Sequence, residues 1–151
     1  MTRLAAFLIA ALALPWAAAA QTLTLLRSID APHYDPARTS YGATTEISFL
    51  IGDTLVGLDY DLKTIVPLLA ESWTVSPDGK LYTFKLRRDA SFCSGKKLTA
   101  DDVVYSFNRV LAPDTRAPFL WRMGPVKEVR ATDAYTVEYE LAAPYSELLL
   151  Q

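Results

Sequence analysis

The chain has 151 residues, 51% hydrophobic and 21% charged, with 15 Lys and Arg against 17 Asp and Glu for a formal charge of −2. That balance excludes the basic face that nucleic-acid binding requires. One cysteine, Cys93, excludes a disulfide-stapled scaffold, so the fold must hold by its core.

Residues 1–20 carry the pattern of a cleaved secretory signal. Arg3 gives a positive start, Leu4 to Leu14 an apolar run, and Ala18, Ala19 and Ala20 the small residues before a cleavage point ahead of Gln21. The run is short of the roughly 20 apolar residues a bilayer span needs. The residue just after the cleavage point is Gln21 and not a cysteine, so nothing there suggests a lipid anchor. The segment inflates the hydrophobic fraction, and removing Arg3 leaves 14 basic against 17 acidic residues, a charge of −3.

Thr22 to Ile29 is an apolar run that predicts a strand. Asp30 to Gly42, with Pro32, Pro36 and several turn formers, predicts a loop. From Thr44 to Val56, Ile47, Leu50, Ile51 and Leu55 fall on one helical stripe, with Gly52 weakening it by about 1 kcal/mol relative to Ala. Leu58 to Pro67 predicts two short strands around Asp61-Leu62-Lys63. Ser72 to Val75 is a strand bearing Trp73, and Ser76-Pro77-Asp78-Gly79 is a hairpin turn. Leu81 to Arg87 alternates, with Tyr82, Phe84 and Leu86 on one face, as a half-buried antiparallel strand does.

Thr99 is the predicted N-cap of the next helix. Asp101 and Asp102 sit in its first turn, where the dipole favours negative charge, and Val103, Val104, Phe107, Val110 and Leu111 form its core stripe. Asn108 and Arg109 fall toward its end and Pro113 stops it. Ala112 to Pro125 is a long loop. Val126 to Ala131 and Tyr135 to Leu141 are strands joined through Thr132-Asp133-Ala134, with Val137, Tyr139 and Leu141 on one face. Tyr145 to Gln151 predicts the first turns of a helix after Pro144. Its uncapped leucines mark the chain as the N-terminal piece of a longer protein.

Chemistry-bearing patterns are sparse. Adjacent acids on a helix point about 100° apart, so Asp101 and Asp102 do not converge on a substrate atom. Ser94-Gly95-Lys96-Lys97 lacks the first glycine of a phosphate loop. His33 has no metal-spaced partner and reads as a solvent-exposed loop residue. Cys93, with no histidine motif around it, reads as a partly buried thiol beside Phe92. There is no nucleophile elbow and no dinucleotide fingerprint. The aromatics Tyr41, Phe119 and Trp121 lie in loops, where binding residues tend to be placed.

The ordered series Leu69-Ala-Glu-Ser-Trp73, Ser76-Pro-Asp-Gly79, Tyr82-Thr-Phe-Lys-Leu-Arg87, Gly95 and Leu98-Thr-Ala-Asp-Asp-Val-Val-Tyr-Ser-Phe107 resembles the N-terminal third of family 5 extracellular solute-binding proteins. The Tyr34-Asp-Pro36 step, Leu55-Val-Gly-Leu58 and the hairpin through Val129 and Val137 fit the same family, so the resemblance spans Gln21 to Gln151. It implies an α/β, two-lobed periplasmic binding protein without a cofactor. Residues 21–43 would give the first strand and cleft loop of lobe I, and 44–151 an incomplete, β-rich appended subdomain. It implies a monomeric, non-enzymatic receptor that captures peptides and delivers them to the permease of an ABC importer. Nickel complexes, glutathione, opines and oligosaccharides are the alternative ligands, and an exported enzyme whose catalytic part lies elsewhere is the rival class. The ligand contacts implied here are Ser40, Tyr41 and Gly42 after the Asp-Pro step, and Phe119 after Pro118. Some peptide binders have a tyrosine where Phe119 stands and an acid where Ser40 stands.

Overall fold

The computed structural model describes residues 24, 26, 29–40 and 42–150. The predicted signal segment, most of the predicted first strand, and Tyr41 lie outside the described residues.

The centre is a four-stranded antiparallel sheet in the order β3-β4-β6-β5, built from β3 (Ala70–Val75), β4 (Leu81–Leu86), β5 (Val126–Asp133) and β6 (Thr136–Leu141). Register puts Tyr82 opposite Tyr139 and Val129 opposite Tyr139, and likewise Phe84 opposite Val137 and Ala131 opposite Val137. Two apolar rows therefore cross the sheet on one face, as the period of two in each strand requires. Tyr82, Phe84, Leu86, Val129, Val137, Tyr139 and Leu141 are all buried. Each such side chain contributes about 1.5–3 kcal/mol on leaving water. Trp73 is half-buried at the sheet's edge and packs against the same cluster.

Helix α2 (Ala100–Leu111) covers these rows, with Val103 buried and Val104, Phe107 and Leu111 packed on the core. Phe107 meets Tyr139 edge-on, with ring centroids 5.3 Å apart. The buried rings keep their polar ends satisfied: the Tyr139 hydroxyl donates to the Met123 carbonyl at 2.8 Å and that of Tyr82 to the Tyr145 carbonyl at 3.1 Å. Burial pushes the Tyr139 phenol up, so it remains a donor at every relevant pH.

The predicted signals at the start of α2 are present. Thr99 is the N-cap, and its N–H and hydroxyl both donate to the Asp102 carboxylate, at 3.0 and 2.9 Å. This is the acidic half of a capping box. Lys96 adds an ion pair to the same carboxylate. The opposite face of the sheet is polar: Arg130 bonds Glu128, Glu138 and Glu140, and Lys127 also bonds Glu140. The Ser76–Gly79 turn closes β3 to β4, with Gly79 at φ +67°, the left-handed region that glycine takes without strain.

A separate hairpin, β1 (Val56–Leu58) with β2 (Ile65–Pro67), precedes this sheet. Its turn is set by the Asp61 carboxylate, which accepts from the Lys63 and Thr64 N–H groups at 2.8 Å.

Three expectations need correction. Helix α1 runs Gly42–Ile51 and ends before Gly52, and its predicted stripe is not buried: Leu50 and Ile51 are exposed, and only Leu55, beyond the helix, reaches the core. Cys93 is exposed rather than partly buried. It sits on a turn closed by Gly95 N–H to Phe92 carbonyl at 2.8 Å, and the Phe92 ring faces the Lys96 ammonium, so no apolar wall forms around the thiol. After Pro144 the chain makes a 3-10 turn at Leu148–Leu150 in place of α-helical turns. Leu148 and Leu149 pack against the core cluster, while Leu150 is exposed.

Candidate functional site

The loop before α1 is pinned at both ends. The Thr44 side chain, fully buried in the first turn of α1, donates to the His33 carbonyl at 2.9 Å, drawing together residues 11 apart in sequence. Between them Asp35 starts a 3-10 turn at Pro36–Arg38: its carboxylate accepts from the Ala37 N–H at 3.1 Å, and Pro36 supplies the fixed φ. Ala37 and Thr39 are buried, and their neighbour Ser40 is exposed. Gly42 opens α1, exposed, and a Cβ there would meet nothing within 4 Å. Of the expected contacts, Ser40 in the anchored loop and Gly42 at the start of α1 are thus both exposed. Tyr41 lies outside the described residues. His33 is exposed, as expected, and its ring nitrogen accepts from the Asp35 N–H at 3.4 Å.

The second loop leaves the C-terminal end of α2. A 3-10 turn at Pro113–Thr115 is followed by Arg116 in the left-handed region, then Pro118 and Phe119. Phe119 is half-buried and precedes another 3-10 turn at Leu120–Met123, its carbonyl accepting from the Arg122 N–H at 2.8 Å. Trp121 is exposed with the Arg122 guanidinium over its ring, a surface arrangement.

Both loops attach to Arg109, in the last turn of α2. Its guanidinium makes two bonds to the Asp35 carboxylate, at 2.9 and 2.5 Å, joining residues 74 apart in sequence. Its carbonyl accepts from the Thr115 hydroxyl at 2.5 Å. The Arg109 guanidinium holds the Asp35 carboxyl below its usual range, and Asp35 raises Arg109 in return. The sequence placed Arg109 only near the end of a helix. An arginine there already suits the dipole, and nothing local announces a partner so far upstream.

Asp101 and Asp102 do not form an acid pair: Asp102 is spent on Thr99 and Lys96. No group of His, Cys, Asp and Glu that could hold a metal occurs among the described residues. No described helix is long and apolar enough to cross a membrane. An open groove lined by Pro67, Leu68, Glu71, Arg87, Arg88 and Asp89, beside the start of β3 and the end of β4, includes no residue of either loop. It is open to solvent, without the enclosure a small-molecule site needs.

Comparison with known proteins places this architecture. Residues 64–151 match the bacterial extracellular solute-binding proteins, family 5 (middle). The chain belongs to this family. It is 35% identical over 136 residues to the peptide transport periplasmic protein SapA of Salmonella typhimurium, covering 77% of this chain and 24% of that one. Among solved structures it resembles Haemophilus influenzae OppA in complex with the peptide RPPGFSPFR (TM-score 0.70, 28% identity, 77% of this chain and 26% of that one). It also resembles Campylobacter jejuni NikZ in complex with Ni(L-His) (TM-score 0.71, 26% identity, 80% and 24%). The chain spans about a quarter of the length of these relatives. The mixed helix-and-sheet fold expected for this portion of a two-lobed binding protein is borne out.

Proposed function

We propose that this chain is part of the substrate-binding component of an ABC importer, a non-catalytic receptor that captures peptides in the periplasm and delivers them to a membrane permease. The observation that carries the reading is the family match together with a peptide-transport relative at 35% identity. In this reading residues 1–20 are removed on export, 21–43 supply a strand and cleft loop of the first lobe, and 44–151 form the appended subdomain. The receptor works as a monomer without a cofactor. Ser40, Tyr41, Gly42 and Phe119 contact the ligand, and a second lobe closes over it. The exposed Ser40 hydroxyl offers a hydrogen-bonding group, and Phe119 offers an apolar ring. Neither carries charge, so charged ends of a peptide must be met elsewhere in the cleft.

The test is a thermal melt of the full-length protein against di-, tri- and longer peptides, with Ni(L-His), glutathione and an opine as the other arms. A ligand at 100 times its Kd adds about 2.7 kcal/mol by mass action. A peptide arm that raises Tm supports the reading. A rise with Ni(L-His) alone moves the receptor to metal-complex uptake, and an unmoved curve in every arm overturns it.

A further inference from the structure

Ser40 and Phe119 lie outside the α-helices and β-strands, so their placement depends on local turns and on the bonds that tie those turns to the rest of the fold. We infer that Arg109 is the positioning residue of this site: its side chain clamps the first loop onto the same helical turn whose backbone launches the second. The inference rests on the ligand-binding reading of the two loops.

The geometry is specific. The two bonds from Arg109 use both oxygens of Asp35, a fork-to-fork match that fixes orientation as well as distance. One of those oxygens also accepts from the Ala37 N–H, so the clamp extends into the 3-10 turn. Ala37 and Thr39 are wedged into the interior, and Ser40 follows directly. On the other side, the Thr115 hydroxyl ties the start of the second loop to the Arg109 carbonyl, and the Arg116 and Leu120 N–H groups close successive turns up to Phe119. Arg38, the other cation acting on Asp35, does so only through space. The Arg109 and Asp35 side chains remain 41% and 24% exposed. An ion pair so open to water adds little to global stability. Its effect is to narrow the positions available to the loop.

Amide hydrogen exchange on the full-length protein decides this without any ligand. In Arg109→Ala, exchange across 35–40 should speed about fivefold, the worth of a lost exposed ion pair, while β5 and β6 are unchanged. Asp35→Asn keeps an acceptor for Ala37 but loses the charge pair, and should do the same. The double variant should equal either single one, because both remove one interaction. Arg109→Lys should restore only part, having a single point charge in place of a fork. Titration with trialanine should show a Kd about fivefold weaker in Arg109→Ala with Tm moved by no more than about 2 °C, a split that a purely structural role would not give. Unchanged exchange across 35–40, or additive single effects, would overturn the inference. Failure of wild-type protein to bind trialanine counts against the short-peptide reading, and the exchange result still decides the role of Arg109.

Discussion

The two helices make an instructive pair. Both carry apolar residues at helical spacing, yet α2 is sealed against the sheet while α1 leaves Phe49, Leu50 and Ile51 about 70% exposed, at 71%, 74% and 69%. Helix α2 also has acids in its first turn and a basic residue in its last, and α1 has neither. Periodicity tells that a helix has an apolar side; only charge placement and a matching partner face tell where that side goes. The sheet offers α2 two complementary rows, from Tyr82 through Tyr139 to Val129 and from Phe84 through Val137 to Ala131. No described element makes such a seat for α1.

Mutation can break or sharpen this contrast. The largest effect is expected at Phe107→Ala, which empties the contact with Tyr139 and should cost about 2–3 kcal/mol by urea unfolding of the 151-residue chain, toward the low end for an aromatic because the ring is half-buried. Asp102→Asn should cost about 1 kcal/mol by removing the charged cap of α2. Here pH gives a second readout. The bond from Lys96, foremost, lowers the Asp102 carboxyl in the folded chain. Its contribution is therefore complete above the unfolded value of about 3.9 and is lost as pH falls through the lower folded value. The stability curves of wild type and Asp102→Asn should converge in acid and separate as pH rises; a constant gap would show that the carboxylate's charge is not the cause. Leu50→Ala on α1 should change stability by less than about 0.5 kcal/mol in this chain, as an exposed side chain does. A loss comparable to that at Phe107 would show that α1 is buried after all.

Much of the scaffold was legible because its signals are local. Strict alternation from Leu81 to Leu86, the Ser76–Gly79 turn and the Thr99–Asp102 cap each lie within a few residues and each appear as read. The apolar stripe of α1 continues in sequence past Gly52 to Leu55, but the chain leaves the helix at Ile51 and enters β1 at Val56. Cys93 departs from its expected partial burial, since the Phe92 ring beside it faces a lysine and the thiol is exposed. The candidate site was legible only as separate loop residues. What relates them, the bonds at Arg109, spans 74 residues in sequence and belongs to tertiary structure.

The most direct test of where the ligand sits is a photo-crosslinking amino acid placed at Phe119 in the full-length protein and irradiated with a labelled tripeptide. The expected result is an adduct that excess unlabelled peptide abolishes, with none when the same probe replaces Tyr60, the fully exposed residue in the β1–β2 turn. Saturable binding of the peptide with no adduct at 119, or equal adducts at both positions, would contradict the placement of the site on the loops anchored at Arg109.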